Sequence, residues 1–116
     1  MIHHVALEVA PDSAGDEVAF WALLGFCEVM PPGELAVRAR WVELEGIQVH
    51  LLFADAPVVP ADGHVAVATR DYDAVVARLR AAGHEAAPRR EHFGTPRTQV
   101  RSPAGHLVEV MAPPRP

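Results

Sequence analysis

Three histidines and one glutamate occupy matched places in apolar, strand-like runs of the sequence. His4 opens "HVALEV", His64 opens "HVAVAT", His50 lies within "VHLLF", and Glu109 lies within "VEVM". Successive side chains of a strand point to opposite faces, so each of these polar residues turns away from the face that its apolar neighbours form. Imidazole and carboxylate groups gathered in a cleft suit Zn²⁺, Fe²⁺, Ni²⁺, Mn²⁺ or Co²⁺, and poorly suit Mg²⁺ or Ca²⁺. The sequence therefore predicts a divalent transition-metal site wherever the fold brings these four side chains together.

The elements that carry these residues follow an order that occurs twice. Strand, helix and three further strands run through residues 1–54 and again through 64–113, and the connector 55–63, punctuated by proline and glycine, separates the two modules. Apolar residues at helical spacing, each time followed by a closing glycine, predict helices at "PDSAGDEVAFWALLGF" and "YDAVVARLRAAG". The predicted fold class is α+β: one domain, 1–116, in which two βαβββ modules pair into a curved mixed-sheet trough with the helices outside.

Three separate registers support the internal repeat. His4 and His64 are 60 residues apart, and the glycines that end the two predicted helices are 58 apart. His50 and Glu109, each on the last strand of its module, are 59 apart. Because the three displacements agree within two residues, His4 should match His64 in the fold and His50 should match Glu109. A trough between the two sheets would then gather all four side chains.

Several neighbours of these residues receive their own predictions. Strand alternation gives His3 the opposite facing to His4, which makes it an outward neighbour and not a ligand. Trp41 has two open interpretations, lining of the cavity and packing in the core. Cys27 is predicted to be a small buried hydrophobe. Three further histidines, in turns or at strand ends, are predicted to be solvent-exposed: His84, His92 and His106.

The strand segment "RTQVR" places three polar side chains on one face. These are Arg97, Gln99 and Arg101, for which a solvated edge is favoured over a contact between Arg97 and a substrate anion. The tail "APPRP" is expected to be loose, because its prolines cannot continue a sheet.

The doubled βαβββ unit resembles the vicinal oxygen chelate superfamily, which includes glyoxalase I, methylmalonyl-CoA epimerase, fosfomycin-resistance proteins, extradiol dioxygenases and bleomycin-resistance proteins. "HHVALEV", "FWALLGF", "GHVAVATRDYDAVVARLRAAGHE" and "SPAGHLVEVMAPP" carry the resemblance, which extends over essentially the whole chain. Metal-using members take their ligands from the same four strand positions, which implies His4, His50, His64 and Glu109 here. Glu or Gln is the commonest residue at the position of His50, and fosfomycin-resistance proteins use only the other three positions.

The resemblance implies a metal-dependent enzyme of the glyoxalase I or epimerase type. It would abstract a proton beside a carbonyl of a small oxygenated substrate, with Glu109 as the catalytic carboxylate. Two alternatives remain open. His4, His64 and Glu109 also form the two-histidine, one-carboxylate set of Fe²⁺ dioxygenases, and bleomycin-resistance proteins of this superfamily sequester a ligand without metal.

Composition narrows the partners. Half of the residues are hydrophobic, the formal net charge is −5, and no basic patch stands out, so nucleic acid and anionic membranes are not expected partners. No apolar stretch approaches the roughly 18 residues of a membrane span. A single cysteine allows no intrachain disulfide, and with no recognisable signal peptide the expected location is cytoplasmic. The resemblance implies a homodimer, whose metal site forms either within one chain or from modules of two subunits.

Overall fold

The computed structural model describes residues 1–114 and divides the chain into two compact units. The first unit is Met1–Val59, and the second begins at Pro60. Within the described residues, no helix is both long enough and apolar enough to cross a membrane.

Each unit contains one four-stranded mixed sheet and one α-helix, in the order that the sequence predicts. The first unit has β1 (His4–Val9), α1 (Ala14–Leu23), β2 (Cys27–Val29), β3 (Ala39–Leu44) and β4 (Ile47–Phe53). The second has β5 (His64–Ala68), α2 (Tyr72–Ala81), β6 (Ala87–Arg89), β7 (Arg97–Arg101) and β8 (Leu107–Met111). Short 3-10 helices lie at Pro11–Ser13 and Gly33–Val37. The predicted α+β class and the two βαβββ modules are confirmed.

The two sheets have the same topology. Their strand orders are β1-β4-β3-β2 and β5-β8-β7-β6, with the first and last strands of each module parallel and the other pairs antiparallel. In the first sheet His50 lies opposite Ala6, two residues after His4. In the second sheet Glu109 lies opposite Ala66, two residues after His64. The register therefore confirms that the repeat matches His4 with His64 and His50 with Glu109.

The helices pack through the apolar stripes that their spacing predicts. On α1, Phe20 and Trp21 are fully buried, and the chain leaves the helix through Gly25 at a φ of 98°. Glu17 is also buried in this helix, where its carboxylate accepts a 3.3 Å hydrogen bond from the indole of Trp21. On α2 the buried residues are Val75, Val76 and Leu79. Each helix thus covers one face of its sheet, and the polar residues of the first and last strands lie on the other.

Two tight turns fix the registers of the strands next to the site. Glu45 and Gly46 both have positive φ, 51° and 81°, as a two-residue type I′ hairpin between β3 and β4 requires. The turn before β8 is closed by a 2.8 Å bond from the Gly105 N–H to the carbonyl of Ser102.

Some local predictions are wrong. Cys27 is exposed because it opens β2, the edge strand of its sheet, which pairs with β3 on one side. His106 is only 3% exposed, since it leads directly into the central strand β8, with its backbone N–H bonded to the Ser102 hydroxyl. His92 is exposed as predicted, whereas His84 is half-buried. In the tail "APPRP", Arg115 and Pro116 lie outside the described residues.

Candidate functional site

Three aromatic rings stack on the inner face of the first sheet. The ring of His50 lies between Trp41, at 3.9 Å and 3° between planes, and His4, at 4.1 Å and 12°. Trp41 and His50 are direct cross-strand partners, and β1 is the parallel neighbour of β4 on the other side. The register of three strands therefore builds the stack, and it resolves the two interpretations of Trp41 in favour of cavity lining.

Two imidazole nitrogens in this stack have defined partners. His4 Nδ1 lies 2.9 Å from His3 Nδ1, and His50 Nε2 lies 2.8 Å from Gln48 Oε1. Gln48 in turn donates a 2.9 Å bond to Glu43, which completes a polar ladder across β4 and β3. His4 consequently keeps its Nε2 for another partner, whereas the Nε2 of His50 is engaged.

His3 differs from its predicted orientation. It lines the same cavity as His4 and contacts it edge-on, with ring centroids 5.2 Å apart. His3 directly precedes β1, and its carbonyl accepts the N–H of Gln48 in β4 at 3.0 Å.

The stack lowers the basicity of its middle ring. Burial is the main cause that holds the pKa of His50 below its usual range, and repulsion from His4 and then from His3, when these are protonated, adds to it. His50 is 8% exposed and is therefore favoured in its neutral form at neutral pH.

The second unit brings its two candidate ligands together in the equivalent place. His64 Nε2 lies 3.9 Å from Glu109 Oε1, and Glu109 is 2% exposed. The other ring nitrogen of His64, Nδ1, lies 2.8 Å from the carbonyl of Asp62. Because a carbonyl only accepts, Nδ1 carries a proton, so the lone pair of a neutral His64 lies on Nε2, on the side of the carboxylate.

Two residues of β7 hold the Glu109 carboxylate. Arg97 Nη1 donates to Oε1 at 2.5 Å, and Gln99 Nε2 donates to the same oxygen at 3.3 Å. Arg97 also donates from Nε to the carbonyl of Arg90, and its side chain is 12% exposed. The predicted solvated edge is therefore wrong for Arg97. The register of β7 against β8 indicates the contact between Arg97 and Glu109. Gln99 lies directly opposite Glu109, and Arg97 is two residues from Gln99 on the same face of the strand.

The donor chemistry of these residues fits a divalent transition metal, although each unit alone provides an incomplete set. The 3.9 Å between His64 Nε2 and Glu109 Oε1 is within the roughly 4.2 Å that two ligands at about 2.1 Å from one ion can span. The backbone carbonyl behind His64 is the kind of support that orients metal-binding imidazoles. Among the described residues, neither unit by itself gathers three His, Cys, Asp or Glu side chains able to hold a metal ion.

A cavity of about 650 Å³ opens beside the aromatic stack in the first unit. Three histidines, Trp41 and Arg38 supply the polar groups of its walls. The other lining residues are apolar: Leu35, Ala39, Leu52 and Phe53. Its size and its mainly apolar walls are typical of sites for small organic molecules.

Comparison with known proteins identifies the fold. No protein-family model and no curated protein matches the sequence. Solved structures match nearly the whole chain. A glyoxalase family protein from Bacillus anthracis is 22% identical, with a TM-score of 0.88, over 97% of this chain and 93% of that one. A lactoylglutathione lyase from Agrobacterium tumefaciens is 22% identical, with a TM-score of 0.73, over 97% and 92%.

An antibiotic binding protein from Streptomyces sp. CB03234 is 18% identical, with a TM-score of 0.73, over 97% of this chain and 95% of that one. These neighbours confirm the fold that the resemblance to the vicinal oxygen chelate superfamily implies. Since enzymes and a binding protein share this fold, the activity must be argued from the residues of the site.

Proposed function

We propose that this protein is a metal-dependent enzyme of the glyoxalase type, which moves a proton beside a carbonyl group of a small oxygenated substrate. The lactoylglutathione lyase among its structural neighbours supports this class. The observation that carries the proposal is the 3.9 Å approach of His64 Nε2 to Glu109 Oε1, with His4 at the position of the first unit that is equivalent to His64.

His4, His64 and Glu109 are the proposed ligands of the metal. His50 is the fourth residue that the resemblance implies, but its ring lies almost parallel to that of His4. Ligand lone pairs lie in the plane of an imidazole, so two rings stacked 4.1 Å apart do not aim at one ion unless one of them turns. The stacked arrangement therefore favours His50 as a cavity residue.

A bound divalent metal supplies Lewis-acid stabilisation of the negative charge that develops on the substrate oxygens. Glu109 would take the proton from the carbon beside the carbonyl as the C–H bond breaks, and would return it to the neighbouring carbon. Because Glu109 is also a proposed ligand, it would have to release or share its metal bond during this transfer. Arg97 and Gln99 hold Oε1 during this transfer, which fixes the direction of the carboxylate. The burial of Glu109 excludes water that would otherwise compete for the proton.

A metal-free binding protein is the second candidate, and two observations favour it. Trp41, His50 and His4 form a continuous aromatic wall along the cavity, and Arg97 already neutralises Glu109. The antibiotic binding protein with the same fold gives this alternative a structural precedent.

Metal content separates the two candidates. The wild-type protein, purified without chelators, should contain stoichiometric transition metal by elemental analysis, and the variant His64→Ala should lose it because one ligand is gone. His92→Ala, which changes an exposed histidine, is the matched control and should keep the metal. Absence of metal from the wild type, with no thermal shift on adding Zn²⁺, Ni²⁺, Mn²⁺ or Fe²⁺, would contradict the enzyme proposal and leave the binding protein.

Substrate trials on the metal-loaded protein then divide the enzyme class. Turnover of methylglyoxal with glutathione supports proton transfer of the glyoxalase type. Oxygen uptake with a panel of catechols, dependent on Fe²⁺, would instead assign the same three ligands to dioxygenase chemistry.

A further inference from the structure

The cavity beside the aromatic stack is larger than a small substrate needs. Its volume of about 650 Å³ lies within the range of sites for drug-sized molecules. A three-carbon ketoaldehyde would leave most of its walls in contact with water. The volume indicates that a bound molecule carries an additional, sizeable group into this space.

The walls indicate the chemistry of that group. One side is the stack formed by Trp41, His50 and His4. Leu35 and Leu52 lie elsewhere on the wall and are 43% and 38% exposed, so a ligand that covers them removes apolar surface from water. Aromatic and apolar walls of this kind favour a planar ring system.

The charged groups on the cavity wall are all of one sign, positive. Among the described residues that line the cavity none is acidic, and the polar ones other than Trp41 are three histidines and Arg38. Arg38 is exposed and its guanidinium has no hydrogen-bond or ion-pair partner within the described residues. Arg40, two positions along, is instead neutralised by Glu28 at 2.7 Å. Arg38 is thus an unpaired cation on the wall of a cavity with no carboxylate.

We propose that Arg38 is an anion-binding residue, and that the cavity accepts a planar aromatic carboxylate whose ring packs along the Trp41 side while its carboxylate pairs with the guanidinium. A guanidinium binds a carboxylate through two parallel N–H donors, which fixes orientation as well as supplying charge. As the substrate class of the proposed enzyme, this inference rests on the proposed function. As a binding site it stands on the first unit alone.

The backbone around Arg38 allows the side chain to be changed without loss of the fold. Its N–H donates to the carbonyl of Leu35 at 3.0 Å, and its carbonyl accepts the N–H of Phe53 at 2.9 Å. Both bonds survive any substitution except proline. Arg38→Met removes the charge at similar length, and Arg38→Lys keeps the charge but loses the two-donor geometry.

Isothermal titration calorimetry of the full-length protein with 2-naphthoate and with the neutral 2-naphthamide tests the proposal. Metal is first removed by dialysis, so the result does not depend on metal binding. The wild type should bind the carboxylate up to about fivefold tighter than the amide, since a charge pair with an exposed guanidinium is worth up to about that factor. Arg38→Met should abolish this preference, and Arg38→Lys should keep part of it.

Arg70→Met is the matched control, because Arg70 is exposed and lies in the second unit, and it should retain the wild-type preference. Equal affinity of the wild type for the two probes, or no binding of either at millimolar concentration, overturns the proposal. If Arg38→Met and Arg70→Met lose the preference for the carboxylate equally, the preference arises from the net charge of the protein, and the proposal is overturned as well. If glutathione binds more tightly than 2-naphthoate, the inference that the ligand carries a planar aromatic ring is overturned. A wild-type protein that is purified without metal would contradict the proposed enzyme, but it would not change any of these binding results.

Discussion

At the scale of single residues, two arginine–glutamate pairs in this chain differ in burial. Arg97 and Glu109 have side chains that are 12% and 3% exposed, whereas Arg40 and Glu28 are 37% and 42% exposed. Removing one partner of a buried pair leaves a charge without compensation in a poorly hydrated place. An exposed charge left alone is hydrated again, so the same change there has little effect.

Arg97→Met should therefore lower the free energy of unfolding by about 3 kcal/mol, whereas Arg40→Met should lower it by less than about 1 kcal/mol. Urea denaturation at neutral pH, with metal removed, measures both variants. The two substitutions are chemically identical, so similar losses would show that the Arg97–Glu109 pair is hydrated in solution.

The pH dependence of stability tests the small contribution that the exposed Arg40–Glu28 pair makes to the free energy of unfolding. The hydrogen bond from Arg40, aided by its charge, holds the pKa of Glu28 below its usual range against the opposing effect of burial. A carboxyl with a lowered pKa stabilises the fold above its ordinary pKa and loses that contribution as the pH falls through the lowered value. The stability difference between wild type and Arg40→Met should accordingly shrink below about pH 4. A difference that persists into stronger acid would point to lost packing of the arginine stem.

At the scale of elements, the β3–β4 hairpin sets which side chains reach the inner face of the first sheet. Gly46 has a φ of 81°, and a Cβ added there meets nothing within 4 Å, so a larger residue is opposed by backbone conformation alone. Gly15 in α1 offers the contrast. Its φ is not positive, and an added Cβ would lie 3.5 Å from Arg40 Nη1, an ordinary contact with a flexible side chain.

Gly46→Ala should destabilise the protein by about 1 kcal/mol, because alanine is strained at positive φ. Gly15→Ala should stabilise it by up to about 1 kcal/mol, because alanine favours the helix and restricts the unfolded chain. Thermal melts of both variants test this pair. Effects of the same sign would mean that the turn tolerates a second backbone conformation.

At the scale of the whole molecule, each unit provides part of the proposed metal site. His4 belongs to the first unit, and His64 and Glu109 to the second. For the proposed site to form, these residues would have to come together either within one chain or between the two subunits of the expected homodimer. The proposed ligand set is the same in both cases, but the consequences of mixing defective chains differ.

Mixing His4→Ala with Glu109→Gln, after joint unfolding and refolding, distinguishes the two arrangements. If the site is shared between subunits, each mixed dimer regains one intact site, because one chain contributes His4 and the other Glu109. Metal content should then recover to about one quarter of wild type, since half of the dimers are mixed and each has one site of two. A site within one chain gives no recovery, as each chain lacks one ligand; self-mixed samples of each variant are the controls.

The sequence by itself determined the module and the facing of its polar strand residues. The order of elements and the closing glycines follow from local periodicity and turn chemistry, which depend on residues close together in the chain. The repeat then predicted that His4 and His64 occupy equivalent positions in their modules, and likewise His50 and Glu109, because two copies of one pattern fold alike.

Only the tertiary structure decided what each of these residues touches. The stacking of His50 on Trp41 and the bonds from Arg97 and Gln99 to Glu109 depend on registers between strands far apart in the sequence. His3 lines the cavity beside His4, which alternation along the chain did not predict. Pattern along a chain fixes the face on which a side chain lies, whereas cross-strand pairing fixes its neighbours, and those neighbours determine its chemistry.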